Sequence, residues 1–321
     1  MTYEQSIHRT TSGIVAEGLG KRFGDFWALR DLDLDVPAGS VLGLLGHNGA
    51  GKTTTVRILS TLALPTTGHA TVAGVDVVSD PLAARARIGL AGQSATVDGL
   101  LSARRNLELV GRLYHLSRAD ARRRAGELLE RLGLSDSADR LVKTYSGGMR
   151  RRLDLAATLV ASPPVLFLDE PTTGLDPQSR NDLWALLRDL VRDGTTLLLT
   201  TQYLEEADRL ADDIVVLDHG RVVATGSPDS LKARIGGERV DVKVAALEEL
   251  PAAEAALAPF ADGQSSIDPD ELIATVPVAA GTPLLDVVRA LDNAGVAAVD
   301  VHRREATLDD VFLSLTTKVA V

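Results

Sequence analysis

Residues Gly46 to Thr54 read Gly-His-Asn-Gly-Ala-Gly-Lys-Thr-Thr and fit the phosphate-loop pattern G-x-x-x-x-G-K-[ST] from Gly46 to Thr53. The flanks suit the pattern. Val41 to Leu45 is an apolar run that reads as a short buried strand, and Thr54 to Leu59 opens a helix. Each part has a chemical reason. Gly46, Gly49 and Gly51 let the backbone curl so that successive N–H groups point inward at phosphate oxygens. The following helix adds the positive end of its dipole, Lys52 reaches the β/γ-phosphates, and the Thr53 hydroxyl can ligate Mg²⁺. The competing reading is a chance glycine-rich turn, which the strand-loop-helix setting disfavours. Taken alone, the loop predicts a nucleotide-phosphate site and leaves kinase, GTPase and motor all open.

A chain of 321 residues is long enough for two domains, each with its own core. The formal charge of −10 argues against a protein that coats duplex nucleic acid, and no nucleic-acid partner is expected. With no cysteine, disulfides and Cys-ligated metals are excluded. The N-terminal Met-Thr-Tyr-Glu-Gln-Ser lacks the basic and apolar regions of a secretory signal. No apolar run approaches the ~20 residues that cross a bilayer. Leu153 to Leu168 comes nearest, interrupted by Asp154, Ser162, Pro163 and Pro164. The expectation is a soluble, cytoplasmic chain whose membrane role, if it has one, runs through a partner.

Along the chain, Ile14-Val15-Ala16 starts a strand, and Leu32 to Val36 alternates apolar with acidic as a half-solvated antiparallel strand should. Phe23, Phe26 and Trp27 cluster between them, in a chain only 3% aromatic, and the residues alone favour core packing over base stacking. Ala70 to Gly74 and Ile88 to Ala91 read as strands, and Ser102 to Leu132 as one long helical stretch whose Arg122-Arg123-Arg124 forms a solvated face. Ser146-Gly147-Gly148 precedes a helix over 149–160, with Ser as N-cap and glycines that admit close approach of a ligand. Val165 to Glu170 reads as a buried parallel strand ending in two carboxylates. Ligands sit beyond the carboxyl ends of such strands, so Asp169 is placed to hold Mg²⁺ and Glu170 to take a proton from water. Leu175-Asp176-Pro177 turns into a helix over 178–191, Thr195 to Thr201 is another buried strand, and Asp218-His219-Gly220 joins a hairpin. Beyond Gly236-Gly237 strands and helices alternate as in a small α+β domain without a catalytic-looking cluster.

Set side by side, these pieces resemble the ATP-binding subunit of an ABC transporter over residues 14–235. Gly46 to Thr53 resembles the Walker A loop, Gln93 the Q-loop, Tyr145 to Met149 the signature, Val165 to Glu170 Walker B, and Leu175-Asp176 the D-loop. The implied fold is α/β, with a RecA-like P-loop core, an antiparallel β part and a helical subdomain at about 94–160. A C-terminal α+β accessory domain follows at 237–321. The implied cofactors are ATP and Mg²⁺. The resemblance implies nucleotide contacts from Gly46, Asn48, Gly49, Ala50, Gly51, Lys52, Thr53, Thr54, Gln93, Ser146, Gly147, Gly148 and Asp176. It implies metal contacts from Thr53, Gln93 and Asp169, and catalytic roles for Lys52, Glu170 and Gln202.

Tyr145 and Met149 stand where most families carry Leu and Gln, and Gln202 where most carry the switch His. A glutamine amide donates a hydrogen bond but does not take up and return a proton near neutral pH, so proton acceptance falls to Glu170 or the phosphate. These departures, with Leu308-Asp309-Asp310-Val311-Phe312-Leu313, resemble the daunorubicin/doxorubicin-resistance branch and extend the likeness over nearly the whole chain. Within it Phe23 falls at the adenine-stacking aromatic, while Phe26 and Trp27 stay core candidates.

The resemblance further implies a head-to-tail homodimer in which each ATP lies between Walker A of one copy and the signature of the other. It also implies a separate integral-membrane permease docked on about Ser94 to Leu116, at the cytoplasmic face of the membrane. The expected function is the ATPase of a multidrug or antibiotic exporter. A soluble ABC ATPase of DNA repair or the ribosome is the alternative, disfavoured by the single cassette, the lack of cysteine and the lack of a long heptad insert.

Overall fold

The acidic-apolar alternation at Leu32 to Val36 predicts a strand with one wet face. In the computed structural model, which describes residues 12–92, 96–235, 238–263, 265–279 and 281–317, it lies in a long hairpin. Strand β1 (Ser12–Phe23) pairs antiparallel with β2 (Phe26–Pro37), burying Leu32, Leu34 and Val36 and exposing Asp31, Asp33 and Asp35. Next come β3 (Val41–Leu45), α1 (Lys52–Leu59), β4 (Thr67–Val72) and β5 (Val75–Asp76), and the first sheet runs β2-β1-β4-β5. After α2 (Pro81–Arg85) and β6 (Ile88–Ala91), the helical part contains α3 (Ala103–Leu113), α4 (Arg118–Arg131) and α5 (Gly147–Leu159). The chain then runs through β7 (Val165–Asp169), α6 (Pro177–Arg192), β8 (Thr196–Thr201), α7 (Leu204–Leu210), β9 (Asp213–Asp218) and β10 (Arg221–Gly226).

The second sheet has the order β10-β9-β3-β8-β7-β6, and the strands from β9 to β6 pair in parallel. Both of its faces are covered, which is why its strands read as unbroken apolar runs. On β7, Val165 and Phe167 enter one core with Ile14, Leu32, Leu44 and Ile58, while Leu166 and Leu168 enter the other with Leu107, Leu129, Leu153 and Trp184. The two-residue period of the strand thus sends alternate side chains to two separate cores.

The helical stretch expected over 102–132 holds two helices. The chain breaks at His115 (φ 63°), and Ser117 restarts it by accepting the Asp120 N–H at 3.1 Å. A Ser with Asp three residues on is a helix start signal, and it overrides the helical composition on either side. Arg122 and Arg123 are solvated as expected, but Arg124 turns inward to donate to Leu159 O and Ser162 Oγ.

The contacts divide the chain at Thr225/Gly226. The second unit starts with α8 (Pro228–Ala233), so its beginning precedes the glycine pair at which sequence reasoning cuts, and that pair lies outside the described residues. It continues through β11 (Glu238–Val244), α9 (Leu250–Leu257), β12 (Ser266–Asp268), β13 (Ile273–Val278), α10 (Leu284–Asn293), β14 (Ala298–Glu305) and α11 (Leu308–Thr317). The sheet is antiparallel, β12-β13-β11-β14, over a core of Val240, Val242, Leu250, Leu257, Val276 and Leu291. Arg304 donates to Asp241 at 2.7 Å and to Asp310 at 2.6 Å, tying α11 to β11. The hydrogen bond to Asp310 holds the guanidinium more firmly charged than usual.

Phe167 is fully buried in the middle of the parallel sheet. Phe167→Ala should destabilise this unit by about 3–5 kcal/mol, read as a lower guanidinium midpoint. An unchanged midpoint would mean that the ring adds nothing to the core.

Candidate functional site

Sheet order decides what meets what. Strand β3 lies between β9 and β8, and β8 between β3 and β7. Leu45 pairs with Thr201, and Thr200 with Asp169, so the carboxyl ends of β3, β8 and β7 bring Gly46, Gln202, Asp169 and Glu170 to one edge. That edge is where ligands bind in open α/β sheets.

The loop after β3 needs its glycines. Gly46 has φ 156°, and a Cβ there would sit 2.5 Å from Leu217 O. Gly51 has φ 112°, and a Cβ would sit 2.8 Å from Ala28 O. Gly51 is also the N-cap of α1 and caps nothing with a side chain, which leaves first-turn N–H groups for an incoming anion. Lys52 is 5% exposed and bends back over the loop. Its Nζ donates to Gly46 O at 2.6 Å and His47 O at 3.1 Å. Burial pushes the Lys52 ammonium below its ordinary pKa, and the nearby Glu170 and Asp169 oppose that shift.

Asp169 is 7% exposed and accepts from Thr200 Oγ1 at 2.5 Å, while Thr53 Oγ1 lies 3.4 and 3.3 Å from its two oxygens. A hydroxyl and a carboxylate meeting beside a cationic loop form a hard-oxygen pair of the kind Mg²⁺ prefers. Glu170 leaves the strand at φ 50°, a conformation rare for a side chain of its kind. Its N–H is shared between Thr200 O and Thr200 Oγ1, at 3.1 and 3.2 Å, and Thr173 Oγ1 donates to its Oε2 at 3.4 Å. Behind it Arg151 reaches from α5, donating to Pro171 O at 2.8 Å and Gly92 O at 2.6 Å, with Asp154 at 3.7 Å. Burial lowers the Arg151 pKa from its usual range.

The other expected residues are distributed as follows. Gln202 is exposed just beyond β8. Asn48 is exposed; Ala50 is buried, and its carbonyl accepts from Gly220 N–H; Thr54 is half-buried on α1. Ser146 caps α5 by accepting the Met149 N–H at 3.2 Å. Gly147 is exposed and lines, with Arg150, Arg151 and Glu170, a cleft of about 230 Å³. Gly148 has a different reason to lack a side chain, since a Cβ would fall 2.5 Å from Ser179 Oγ of α6. Asp176 caps α6, accepting from Ser179 N–H and Oγ, and these hydrogen bonds lower its pKa. Among the described residues, the hydrogen bonds of Ser146 and Asp176 are to the starts of their own helices, α5 and α6. Gln93 lies outside the described residues.

Phe23 is 55% exposed at the tip of the β1–β2 hairpin, free of the core. Phe26 is 66% exposed, so it is not the core residue that sequence reasoning makes it. The two-residue turn Gly24-Asp25 puts both rings at the solvent end of the hairpin. Trp27 is half-buried between the Arg22 and Arg30 guanidiniums. Sequence reasoning also passes over Thr200, Arg151 and Asp154. The signals were a threonine pair closing an apolar strand and an acid inside the apolar stretch of α5, with an arginine three residues before it.

These features define a class. Residues 29–173 match the ABC transporter family, and the chain belongs to that family as an ATP-hydrolysing subunit. It falls with the daunorubicin-resistance branch. It is 55% identical to the daunorubicin resistance ATP-binding protein DrrA2 of Streptomyces coeruleorubidus, with 94% of each chain covered. It is 39% identical to the Nod factor export ATP-binding protein I of Ralstonia nicotianae, over 96% of this chain and 94% of that one. Among solved structures, a dimeric post-hydrolysis ATP-binding cassette bound to ADP and Pi matches with a TM-score of 0.61 and 27% identity, over 67% of this chain and 98% of that one.

Arg151→Ala should cost about 3–5 kcal/mol, because it strips Asp154 of its cation and two carbonyls of their donor. Thermal denaturation of the variant checks this, and a melting point equal to wild type would refute it. Glu206, fully buried in α7, accepts from Trp184 Nε1 at 3.3 Å, and burial raises its pKa above the ordinary glutamate value. The protonated acid is therefore favoured in the native state, and its contribution is lost as pH rises through the raised pKa. Glu206→Gln should raise the melting temperature more at pH 8 than at pH 5, and an equal shift at both would contradict the burial argument.

Proposed function

We propose that this chain is the ATPase of an exporter whose membrane part is a separate permease, and that it works as a head-to-tail homodimer. The observation that carries this is the meeting of Thr53, Asp169 and Lys52 at the carboxyl ends of three adjacent strands. In this reading the loop N–H groups from Gly46 to Thr54 and the Lys52 ammonium hold the β- and γ-phosphates. Phe23 stacks on the adenine, and Asp176, Ser146, Gly147 and Gly148 contact the nucleotide of the opposite copy. Lys52 now donates to Gly46 O and His47 O, and a phosphate would take over those bonds.

Thr53 and Asp169 supply oxygen ligands that suit Mg²⁺, with Gln93 as a further ligand. The ion would neutralise phosphate charge. Glu170 accepts the proton of the attacking water, with Thr173 Oγ1 and the doubly anchored main-chain N–H holding it in place. Gln202 positions the same water through its amide, since it cannot cycle a proton. Catalysis then rests on positioning and electrostatics, as phosphoryl transfer to water requires.

Among the described residues no helix is long and apolar enough to cross a membrane, which supports a separate membrane subunit. The stretch expected to dock it exposes Leu100, Leu109, Leu113 and Tyr114 beside a groove of about 730 Å³ lined by Arg104, Arg105, Arg112 and Arg122. Ser94 and Ala95, at its start, lie outside the described residues. The names of the relatives, daunorubicin resistance and Nod factor export, support small-molecule export with a cargo chosen by the permease. The cytoplasmic face of the membrane is the location this reading requires.

Glu170→Gln is the test. The variant should bind ATP as wild type does, lose turnover by at least about 10²-fold, and accumulate as a dimer in ATP on size-exclusion chromatography. Wild-type turnover would remove Glu170 from the role, and a monomer in ATP would remove the head-to-tail clamp.

A further inference from the structure

Across β3 from Asp169, strand β9 ends at Asp218, and the turn His219-Gly220 leads into β10. His219 (φ 45°) and Gly220 (φ 75°) are both left-handed, and the turn is stapled to the phosphate loop by Gly220 N–H donating to Ala50 O at 3.0 Å. Over this staple His47, the second residue of the loop, meets the turn. Its Nδ1 lies 2.6 Å from Asn48 O and its Nε2 2.8 Å from Asp218 Oδ1. A carbonyl only accepts, so Nδ1 carries the hydrogen. The Nε2 lone pair of a neutral ring would then face a carboxylate oxygen, an arrangement that needs a positive occupant: a proton or a metal ion.

The second imidazole stands beside the first. His219 Nε2 is 3.9 Å from the same Asp218 oxygen, and the two rings are 5.3 Å apart at 64°. His47, Asp218 and His219 each offer a ligand atom within 4.8 Å of the others, a grouping found once among the described residues. The Asp218 side chain is 8% exposed and fixed, whereas His219 is 79% exposed and can swing. Tetrahedral zinc bonds of about 2.0–2.1 Å place donors roughly 3.4 Å apart. Closing the set therefore takes a movement of His219 by about 1 Å and an opening of the His47–Asp218 pair from 2.8 Å toward that spacing.

We propose that His47, Asp218 and His219 form a site for a zinc-class divalent transition-metal ion on the rim of the phosphate loop, with water in the fourth position. Two imidazoles select such an ion over Mg²⁺, which the oxygen pair Thr53 and Asp169 suits instead. The ion takes the place of the proton between His47 Nε2 and Asp218. It ties the loop to the β9–β10 turn at the residue whose carbonyl accepts from Lys52 Nζ, so its occupancy stiffens the loop around that lysine. The site shares the phosphate loop with the nucleotide roles proposed above, but its three ligand side chains are not among the groups assigned to nucleotide or Mg²⁺.

The experiment uses the full chain stripped of metal and free of nucleotide, titrated with Zn²⁺ against a chromophoric chelator. Wild type should bind one Zn²⁺. Asp218→Asn and His219→Asn should weaken it by more than the ~10–100-fold that changes outside a ligand shell cost. Asn is chosen at 219 because it tolerates the left-handed backbone. His69→Asn, at the exposed pair with Glu17, and Asp169→Asn should leave the affinity unchanged. Melting supplies the second reading: Zn²⁺ should raise the melting temperature of wild type but not of His219→Asn, a surface variant that decides the matter even if Asp218→Asn fails to fold. Full affinity in His219→Asn, its loss in Asp169→Asn, or no binding by wild type would each overturn the proposal.

Discussion

Asp169 is buried at the end of a central strand, and a buried carboxylate is stable only where hydrogen bonds or cations meet it. Here Thr200 supplies a 2.5 Å bond from the neighbouring strand, and Thr53 faces it from the first turn of α1. Both partners depend on β8 lying between β3 and β7. If the strand order changed, Asp169 would lose its partners, and the loop lysine would lose the two carboxylates that offset its burial. The meeting of these groups at one edge is thus a consequence of sheet order as much as of residue type.

The rest of the first unit holds that edge rigid. Two apolar cores clamp the parallel sheet from opposite faces, so the strand ends have little freedom to slide. Arg151 carries the constraint outward, because one side chain from α5 holds the carbonyls of Gly92 and Pro171. Helix α5, the end of β6 and the turn after Glu170 therefore share one half-buried cation. Gly147 stays exposed at the start of that helix, with its side-chain position open.

The second unit shows a different economy of parts. Asp310, legible beforehand only as part of a branch-like Leu-Asp-Asp-Val-Phe segment, accepts from Arg304 and from the Thr307 N–H, so one carboxylate both pairs a guanidinium and starts a helix. Two elements there escape sequence reasoning. Helix α8 is short and lies before the glycine pair, and β12 is a three-residue edge strand. Neither is long enough to show a period.

What the sequence by itself determined is the local chemistry. The glycines and Lys52-Thr53 specify an anion cradle, the run Val165 to Asp169 specifies a strand buried on both faces, and Ser146 and Asp176 specify helix starts. Each is set by residues within a few positions of one another, where backbone sterics and capping act. The tertiary structure alone decided which of these pieces meet. It joined Thr200 to Asp169, bonded Arg151 to Gly92 O, left Phe26 in solvent, and set His47 beside Asp218, 171 residues away. Such contacts follow from sheet order and helix packing, which arise from the burial of the whole apolar surface and leave no local period in the chain.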